Sequence, residues 1–241
     1  MTAPERLVFL HGFTQTGQSW NRVAREFADQ YETMTVDAPG HGKSGALRLD
    51  LPAAADWLGP VGGAATYIGY SMGGRLALHL ALADPSLVPR LVLVSSTAGI
   101  ADDAARATRR ADDERRADEI ERDGVAAFLD RWLALPLFAR LPRDAAGLDD
   151  RLANTAEGLA SSLRLAGTGA QESLWDRLGE LSMPVLLVAG AIDAKFVGIA
   201  EQMATSIPSA DVVIVPGAGH VVHLERPDEF VGLLRRWLAE H

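Results

Sequence analysis

Short apolar runs alternate along this chain with longer amphipathic stretches. Six runs have the length and composition of buried β-strands, at residues 7–10, 33–36, 66–68, 91–94, 185–188 and 212–215. Helical patterns occupy several of the intervals, at residues 20–30, 72–83, 198–206 and 228–239. Strands that alternate with helices predict an α/β fold, with a mostly parallel sheet covered by helices on both faces.

The alternation stops between about residues 99 and 177, where no strand candidate occurs. Residues 102–123 mix charges of both signs with alanine, as exposed helices do, and residues 125–133 are amphipathic at helical spacing. We therefore predict a helical lid, residues 99–177, between two parts of a core, residues 1–98 and 178–241. The alternative is a surface helical hairpin with no role in a site, but insertions at the carboxyl edge of such sheets tend to build pockets.

Composition narrows the class of protein. The chain has 241 residues, 48% of them hydrophobic, which is ample for a core. The net charge of −9 disfavours binding to nucleic acid, and the absence of cysteine excludes disulfides and thiolate metal sites. The sequence shows no signal-peptide pattern and no apolar run of membrane-spanning length. We expect a cytoplasmic protein without a membrane partner, and no feature predicts its oligomeric state.

One pentapeptide carries the strongest chemical signal. Residues 69–73, Gly-Tyr-Ser-Met-Gly, lie between an apolar strand-like run and a helix-like run. This is the strand–turn–helix context of a nucleophile elbow, in which a tight turn presents a serine hydroxyl at the carboxyl edge of a sheet. Glycine at both ends tolerates the strained backbone that such a turn needs. Ser71 is therefore the predicted catalytic serine rather than a structural turn residue.

A serine hydroxyl needs an imidazole to accept its proton and a carboxylate to orient that imidazole. In this fold the order along the chain is nucleophile, acid, histidine. His220 follows the last strand through a glycine-rich loop and is favoured over His223, which falls nearer the final helix. Asp193 follows the preceding strand, whereas no carboxylate follows the strand at 91–94 until Asp102. We predict a triad of Ser71, Asp193 and His220.

An oxyanion hole requires two backbone N–H donors aimed at the developing negative charge. One is expected from Met72, the residue after the nucleophile. The loop that follows the first strand, residues 11–14, is expected to supply the other, and Phe13 is the predicted donor.

With these elements in place, the chain resembles the α/β-hydrolase superfamily over nearly its whole length. A narrower resemblance is to the 2-succinyl-6-hydroxy-2,4-cyclohexadiene-1-carboxylate synthases of menaquinone biosynthesis. It rests on residues 11–14 (His-Gly-Phe-Thr), 69–75 (Gly-Tyr-Ser-Met-Gly-Gly-Arg), 132–138 (Trp-Leu-Ala-Leu-Pro-Leu-Phe), 152–154 (Leu-Ala-Asn) and 190–196 (Gly-Ala-Ile-Asp-Ala-Lys-Phe). That resemblance implies a triad that promotes proton abstraction followed by pyruvate elimination, with arginines that hold the carboxylates of the substrate.

Several residues near the predicted triad are candidates for binding the substrate. Arg75 lies four residues after Ser71, on the same helix face, where it suits a carboxylate. A buried structural ion pair is the alternative for Arg75. The resemblance further implies Arg109 and Arg151 as lid arginines, although Arg106 and Arg110 compete with Arg109. It also suggests Tyr70 as a donor to the substrate and Trp132 as a pocket wall, for which a core role is the default.

Three functions remain open at this level. The leading one is a lyase that eliminates pyruvate from a small polycarboxylate, with no cofactor and no metal. The spacing His220-x-x-His223 lacks a third ligand close by, so a zinc site is not expected. The second is a serine hydrolase acting on esters or C–C bonds with the same triad. The third is a non-catalytic ligand-binding protein, against which the complete triad argues.

Overall fold

A single six-stranded sheet forms the centre of the structure, a computed structural model in which residues 5–241 are described. Its strands are β1 (Arg6–Leu10), β2 (Glu32–Val36), β3 (Thr66–Tyr70), β4 (Arg90–Val94), β5 (Val185–Gly190) and β6 (Ala210–Val215). Their order is β2-β1-β3-β4-β5-β6, and each neighbouring pair is parallel. All six predicted strands are confirmed, with ends shifted by at most two residues.

The strand order determines where a site can form. From β1 the chain moves outward to β2 and then returns to the other side of β1 as β3. The connections after β1 and β3 therefore diverge at the carboxyl edge and leave a crevice between them, which is the usual ligand site of such sheets. His11 directly follows β1 and Ser71 directly follows β3. The topology alone brings the predicted oxyanion loop and the predicted nucleophile together.

Nine α-helices are found within residues 5–241. They are α1 (Asn21–Arg25), α2 (Leu51–Gly62), α3 (Met72–Ala83), α4 (Asp103–Leu133), α5 (Leu148–Leu152), α6 (Ala156–Ala166), α7 (Ala194–Ala204), α8 (Val222–Glu225) and α9 (Pro227–Glu240). α3 has the predicted bounds, and α9 extends its prediction by one residue at each end. α1 is shorter than the predicted helix at 20–30. The N–H groups of Glu26 and Phe27 donate to the carbonyls three residues earlier, as in a 3₁₀ turn, so the α-helical hydrogen bonding ends there.

Helix α2 is missing from the sequence-based prediction. Two prolines obscure it, but Pro52 lies in the first turn, where its missing N–H costs nothing, and Pro60 lies near the end of the helix. Asp50 caps the helix by accepting a hydrogen bond from the N–H of Ala53 at 2.9 Å. The helix therefore forms in spite of its two prolines, because Asp50 caps it and neither proline lies where it would break the helix.

Alternate residues of the strands face opposite sides of the sheet, and each side has its own core. Val8 and Leu10 pack in a cluster with residues of α2, α3 and α7. Leu7 and Phe9 pack in a second cluster with residues of α1 and α9. The four side chains are fully buried, and each such burial stabilises the fold by about 1.5–3 kcal/mol. The sheet is thus buried on both faces, as its near-continuous apolar strands predict.

The lid segment lies between β4 and β5 and contains no strand among the described residues. Its charged and amphipathic parts form one long helix, α4, which is kinked at Gly124, where φ is 82° and ψ is 166°. α4 packs against α6 through an apolar cluster that includes Ile120, Phe128 and Leu159. No helix within residues 5–241 is long and apolar enough to cross a membrane.

Candidate active site

Ser71 occupies the sharp turn between β3 and α3. Its φ of 51° and ψ of −108° are unusual for a residue with a side chain. A Cβ on Gly69 would lie 2.5 Å from the Cα of Gly74, and one on Gly73 would lie 2.5 Å from the carbonyl carbon of Leu10. Glycine is therefore required on both sides of the serine, because the turn brings neighbouring backbones into contact. The chain has the strained elbow that its sequence predicts.

His220 lies between the serine and the carboxylate. Its Nδ1 is 2.7 Å from Oδ2 of Asp193, and its Nε2 is 3.4 Å from Oγ of Ser71. Because a carboxylate only accepts, Nδ1 carries the proton and Nε2 presents a lone pair to the serine hydroxyl. The 3.4 Å separation is long for a hydrogen bond, as is common before substrate binds.

Asp193 has two functions at the start of α7. One of its oxygens, Oδ1, accepts from the N–H of Phe196 at 3.4 Å and caps the helix. The other orients His220. The same carboxylate therefore caps the helix and contacts the imidazole of His220. The cap fixes the carboxylate, so that its second oxygen is held in place for the imidazole.

His223, the competing histidine, lies elsewhere. It is fully buried in α8, stacks on Trp20 with ring centroids 3.9 Å apart, and has no hydrogen-bond partner for either ring nitrogen within residues 5–241. Burial lowers its pKa to about 3. A neutral, stacked imidazole of this kind packs as an aromatic side chain, and the geometry leaves His220 as the base facing Ser71.

The predicted oxyanion donors face the same crevice. Met72 is the first residue of α3, so its N–H has no carbonyl partner in the helix. In the loop after β1, the N–H of Gly12 donates to Gln15 and that of Thr14 donates to His41. The Phe13 N–H between them has no acceptor in the described part of the chain. Two unengaged N–H groups beside a serine form the arrangement that stabilises an oxyanion.

Two buried histidines hold that loop in place. His11 accepts from the N–H of Ala38 at 2.9 Å, and His41 accepts from the N–H of Thr14 at 3.2 Å. Burial lowers the pKa of both imidazoles, that of His41 to about 3, so both remain neutral acceptors. Sequence reasoning places them only in loops and misses this role. The sequence feature that could have indicated this role is the position of both histidines, since each lies after a strand next to the switch point of the sheet.

A cavity opens above Ser71 and His220. Its walls come from both the core and the lid. The predicted residues that line it are Phe13, Tyr70, Ser71, Met72, Arg75, Arg109, Trp132 and His220. Asp193 lies behind His220, and Arg151 is also not part of the lining.

Arg75 lies at the inner end of this cavity and has no ion-pair partner within residues 5–241. Its guanidinium donates to the carbonyl of Ala166 at 2.8 Å and approaches Oε1 of Gln171 at 3.4 Å. The residue is only 6% exposed. Burial, and to a smaller degree the charge of Arg109, lowers the pKa of Arg75 to about 10 against the opposing effect of the Asp113 carboxylate, so Arg75 stays protonated at neutral pH. The structural ion pair considered for this residue is absent, and a buried cation faces the cavity instead.

Among the three competing lid arginines, only Arg109 lines the cavity. Its Nε donates to Asp113 at 2.8 Å, and no partner for its terminal nitrogens is found within residues 5–241. Arg106 instead donates to Ile100 and Asp103, and Arg110 is exposed. The carboxylate of Asp113 therefore positions Arg109 and leaves its outer N–H groups open to a ligand.

The structure places Arg151 differently from the sequence-based expectation. Its side chain is 1% exposed and donates to the carbonyl of Ala146 at 2.7 Å and to the hydroxyl of Thr14. Asn154, three residues on, donates to the carbonyl of Thr14 at 2.8 Å. Thr14 has a φ of 69° and directly follows Phe13, the predicted oxyanion donor. In this conformation Arg151 fixes the oxyanion loop to the lid and does not reach the cavity.

Trp132 and Tyr70 form walls of the cavity. Trp132 stacks on Phe128, with ring centroids 5.7 Å apart, and meets Phe13 edge-on at 5.4 Å. It therefore combines the core role expected of a lone tryptophan with a place in the lining. Tyr70 packs its ring 5.3 Å from that of His220, and burial raises its pKa, so its hydroxyl stays a donor.

Sequence reasoning misses several lining residues, because single apolar or small residues carry no motif of their own. They are Leu137, Phe138, Ser162, Leu163, Ala166, Gly167, Thr168, Lys195 and Phe196. Phe196 packs 4.6 Å from His220, and Lys195 precedes it on α7. Both lie in the segment 190–196 that carries part of the family resemblance, which was the signal available for them.

Comparisons with known proteins agree with this geometry. The chain matches the model of the alpha/beta hydrolase family over residues 7–233. A 2-succinyl-6-hydroxy-2,4-cyclohexadiene-1-carboxylate synthase from Serratia proteamaculans is 32% identical over 243 residues, which cover 97% of this chain and 92% of that protein. A Bacillus subtilis protein to which the same activity is provisionally assigned is 38% identical over 251 residues, covering 98% and 91%.

Solved structures give the same result. MenH from S. aureus superimposes with a TM-score of 0.93 at 33% identity, covering 100% of this chain and 95% of that one. A thermophilic esterase from Thermogutta terrifontis has a TM-score of 0.83 at 24% identity, covering 99% and 90%, and shares the fold alone. The chain therefore belongs to the α/β-hydrolase family and, within it, to the group of proteins named 2-succinyl-6-hydroxy-2,4-cyclohexadiene-1-carboxylate synthase.

Proposed function

We propose that this protein is a lyase of menaquinone biosynthesis that eliminates pyruvate from 2-succinyl-5-enolpyruvyl-6-hydroxy-3-cyclohexene-1-carboxylate. The observation that carries the proposal is Arg75, a buried arginine that faces the Ser71 cavity without a carboxylate partner within residues 5–241. A buried charge is costly unless something compensates it. An anionic substrate supplies that compensation, whereas the acyl chain of a neutral ester does not.

The substrate carries three carboxylates, on the succinyl group, the enolpyruvyl group and the ring. Arg75 and Arg109 both line the cavity and present N–H donors to it. Guanidinium groups bind carboxylates through paired, charge-assisted hydrogen bonds, which fix orientation as well as position. Two arginines on different walls, one from the core and one from the lid, can therefore orient the ring above Ser71.

The triad supplies the base. His220 is held by Asp193 with its Nε2 facing Ser71, so the serine and histidine together can accept one proton. The acidic proton of the substrate is at C2, next to the succinyl ketone. Its removal places negative charge on the ketone oxygen, as an enolate. The N–H groups of Phe13 and Met72 are the proposed donors to that oxygen.

The elimination is redox-neutral. The electron pair from the C2–H bond forms the C2=C3 double bond, and the ring double bond moves from C3=C4 to C4=C5. The C5–O bond then breaks with its electron pair on oxygen and expels the enolate of pyruvate, whose methylene carbon takes up one proton, equivalent to the one removed from C2, to give pyruvate. The ring product has double bonds at C2 and C4, as a 2,4-cyclohexadiene requires. The proposed base takes the C2 proton, and the proposed oxyanion donors stabilise the charge on the succinyl ketone oxygen.

A coupled lactate dehydrogenase assay for pyruvate tests this function. We expect wild-type protein to release pyruvate from the substrate. Ser71→Ala should lower kcat by at least about 10³-fold, as loss of a triad member does. Ser206→Ala, which changes an exposed serine at the far end of α7, should match wild type. Release no faster than the uncatalysed background would reject the lyase.

A serine hydrolase remains the second candidate, because Ser71, His220 and the two N–H donors are also what ester hydrolysis needs. The unpaired Arg75 argues against it. Fast hydrolysis of short nitrophenyl esters, unchanged in an Arg75 variant and without any pyruvate release, would favour the hydrolase.

A further inference from the structure

Gln171 contacts Arg75 without lining the cavity above Ser71. Its Oε1 lies 3.4 Å from Nη1 of Arg75, and the same nitrogen donates to the carbonyl of Ala166 at 2.8 Å. Gln171 is only 2% exposed. It is not among the residues of the Ser71 cavity and borders a separate pocket that includes His79. Gln171 can therefore act on a ligand in the Ser71 cavity only through Arg75.

The side-chain amide of Gln171 has a defined orientation. A guanidinium only donates hydrogen bonds, so the amide oxygen and not the NH2 group is assigned to face Arg75. In this orientation Nε2 is buried and has no hydrogen-bond partner within residues 5–241. Buried amides normally have partners at both ends. The contact with Arg75 thus determines how the amide is placed.

Two loops hold Gln171 next to Arg75. The backbone N–H of Gln171 donates to the carbonyl of Gly167, directly after α6, at 3.2 Å. In the loop after β4, a Cβ on Gly99 would lie 3.4 Å from the side-chain Cδ of Gln171. The side chain is packed between these loops, so its oxygen presents a fixed acceptor to the guanidinium.

Both acceptors that Arg75 uses are uncharged, one a carbonyl and the other an amide oxygen. A buried carboxylate is available in the lid, at Asp113, which is 2% exposed. Its oxygens accept from Arg109 at 2.8 Å and from the N–H of Gly169 at 3.1 Å. A carboxylate at position 171 would instead give Arg75 an internal counter-charge and weaken its attraction for an entering anion.

We propose that Gln171 is a positioning residue that fixes Arg75 through a neutral oxygen and so keeps its charge available to a carboxylate of the substrate. This inference rests on the proposed lyase function. A neutral acceptor orients a guanidinium without neutralising it, whereas a carboxylate does both. The preference of the cavity for anions then depends on the amide at position 171 as well as on Arg75. An amide that only fills the space between two loops is the alternative.

Gln171→Glu separates the two readings, because it keeps the shape of the side chain and replaces the NH2 group with a charged oxygen. We expect the Kd of the substrate for the Ser71→Ala protein, measured by titration calorimetry, to rise at least about tenfold. The Tm should be unchanged or higher, because Arg75 gains a counter-charge. Unchanged affinity, or weaker binding together with a Tm several degrees lower, would overturn the proposal.

Gln202→Glu is the matched control, since it adds the same charge at an exposed position of α7. Gln202 is not among the cavity residues. Its substitution should leave both Kd and Tm as in the Ser71→Ala parent. An equal rise in Kd for both variants would assign the effect to net charge and contradict a special role of position 171.

Gln171→Met tests whether residue 171 acts through Arg75. Methionine keeps most of the volume but removes the acceptor, and we expect kcat/KM for pyruvate release to fall about three- to tenfold. In an Arg75→Met background the same change should alter kcat/KM by less than about twofold, because its effect depends on the guanidinium. Equal effects in the two backgrounds would contradict a positioning role.

Failure of this proposal and failure of the lyase function give different results. If wild-type protein releases no pyruvate, the lyase function fails, and the titrations with Ser71→Ala still decide whether Gln171 controls binding of the polycarboxylate. If pyruvate is released but Gln171→Glu leaves Kd unchanged, the function stands and the role of Gln171 is wrong. Absence of any binding to Ser71→Ala with Gln171 intact would also overturn the proposal.

Discussion

At the scale of single residues, Arg75 is the residue on which the proposed function depends most. A guanidinium that is 6% exposed normally has a carboxylate beside it, because desolvation of an unpaired charge is expensive. Arg75 has only a carbonyl and an amide oxygen as partners within residues 5–241. In the proposed function the substrate supplies a counter-charge to Arg75, which the acyl chain of a neutral ester does not.

Arg75→Met tests this reading. Methionine keeps much of the volume but removes the charge, so we expect kcat/KM for pyruvate release to fall by about 10²-fold or more, as for loss of a buried charge-assisted contact. Thermal unfolding should show an unchanged or higher Tm, because an uncompensated buried charge is removed. A Tm several degrees lower with activity retained would instead identify Arg75 as a structural residue.

The burial of His223 predicts how the stability of the protein depends on pH. Its burial lowers its pKa to about 3, so the folded protein keeps it neutral while the unfolded chain protonates it near 6.5. The unfolded state therefore binds more protons below pH 6.5. The stability that neutral His223 contributes is complete above that pH and is lost as the pH falls towards 3, at up to about 1.4 kcal/mol per pH unit.

His223→Phe should remove the part of the pH dependence of the free energy of unfolding that comes from protonation of this one residue in the unfolded chain. Phenylalanine can keep the stacking on Trp20, and no hydrogen bond of the imidazole is lost within the described chain. Free energies of unfolding from urea titrations between pH 7.5 and 4.5 measure the effect. The variant and wild type should differ by a constant above pH 7 and diverge below pH 6.5 in favour of the variant. Parallel curves over the whole range would contradict a neutral buried His223.

At the scale of elements, the nucleophile elbow and the loops that carry Asp193 and His220 were predictable from sequence, because each has a recognisable local pattern. Glycines at 69 and 73 are dictated by backbone contacts across the turn, and the strand-to-loop positions of Asp193 and His220 follow from the order of the fold. Helix α2 was not predictable in the same way, since its two prolines resemble breaker signals. The two segments predicted at 102–123 and 125–133 meet at Gly124, but their patterns did not reveal that they form one helix kinked at that glycine.

Gly124 marks a change of role within α4. The part before it carries Arg109 and Ile120, and the part after it carries Phe128 and Trp132. Its φ of 82° with ψ of 166° is a conformation that residues with side chains avoid. We expect Gly124→Ala to destabilise the protein by about 1–3 kcal/mol and to raise KM by displacing Trp132.

A helical glycine provides the control for that measurement. Gly198 lies within α7, and a Cβ there would meet nothing within 4 Å. Gly198→Ala should therefore stabilise the protein by about 0.5–1 kcal/mol. If both variants shift the unfolding midpoint in the same direction, the special backbone assigned to Gly124 is wrong.

At the scale of the whole molecule, the site depends on contacts between distant parts of the chain. Arg151 and Asn154 of the lid donate hydrogen bonds to Thr14, which adjoins the predicted oxyanion donor Phe13. His11 and His41 connect the loops after β1 and β2 by hydrogen bonds. No local pattern reveals such contacts. A buried arginine that supports a loop and one that faces a ligand look alike in sequence, and only the packed structure separates Arg151 from Arg75.

The central sheet and the lid contribute different parts of the candidate site. The parallel sheet and its switch point place the serine, the histidine and the N–H donors at one edge, as they do for other members of this family. The lid then adds Arg109 to Arg75 of the core, and both arginines line the cavity. The proposed function uses the same sheet edge as a hydrolase and relies on these two cations to bind an anionic substrate.

The most direct test of the account is the ratio of two specificity constants for wild-type protein. One is kcat/KM for pyruvate release from the enolpyruvyl substrate, and the other is kcat/KM for hydrolysis of p-nitrophenyl acetate, a small neutral ester. We predict a ratio of about 10³ or more in favour of pyruvate release, because paired carboxylate contacts are available to only one of the two substrates. Ester hydrolysis that equals or exceeds pyruvate release would contradict the account.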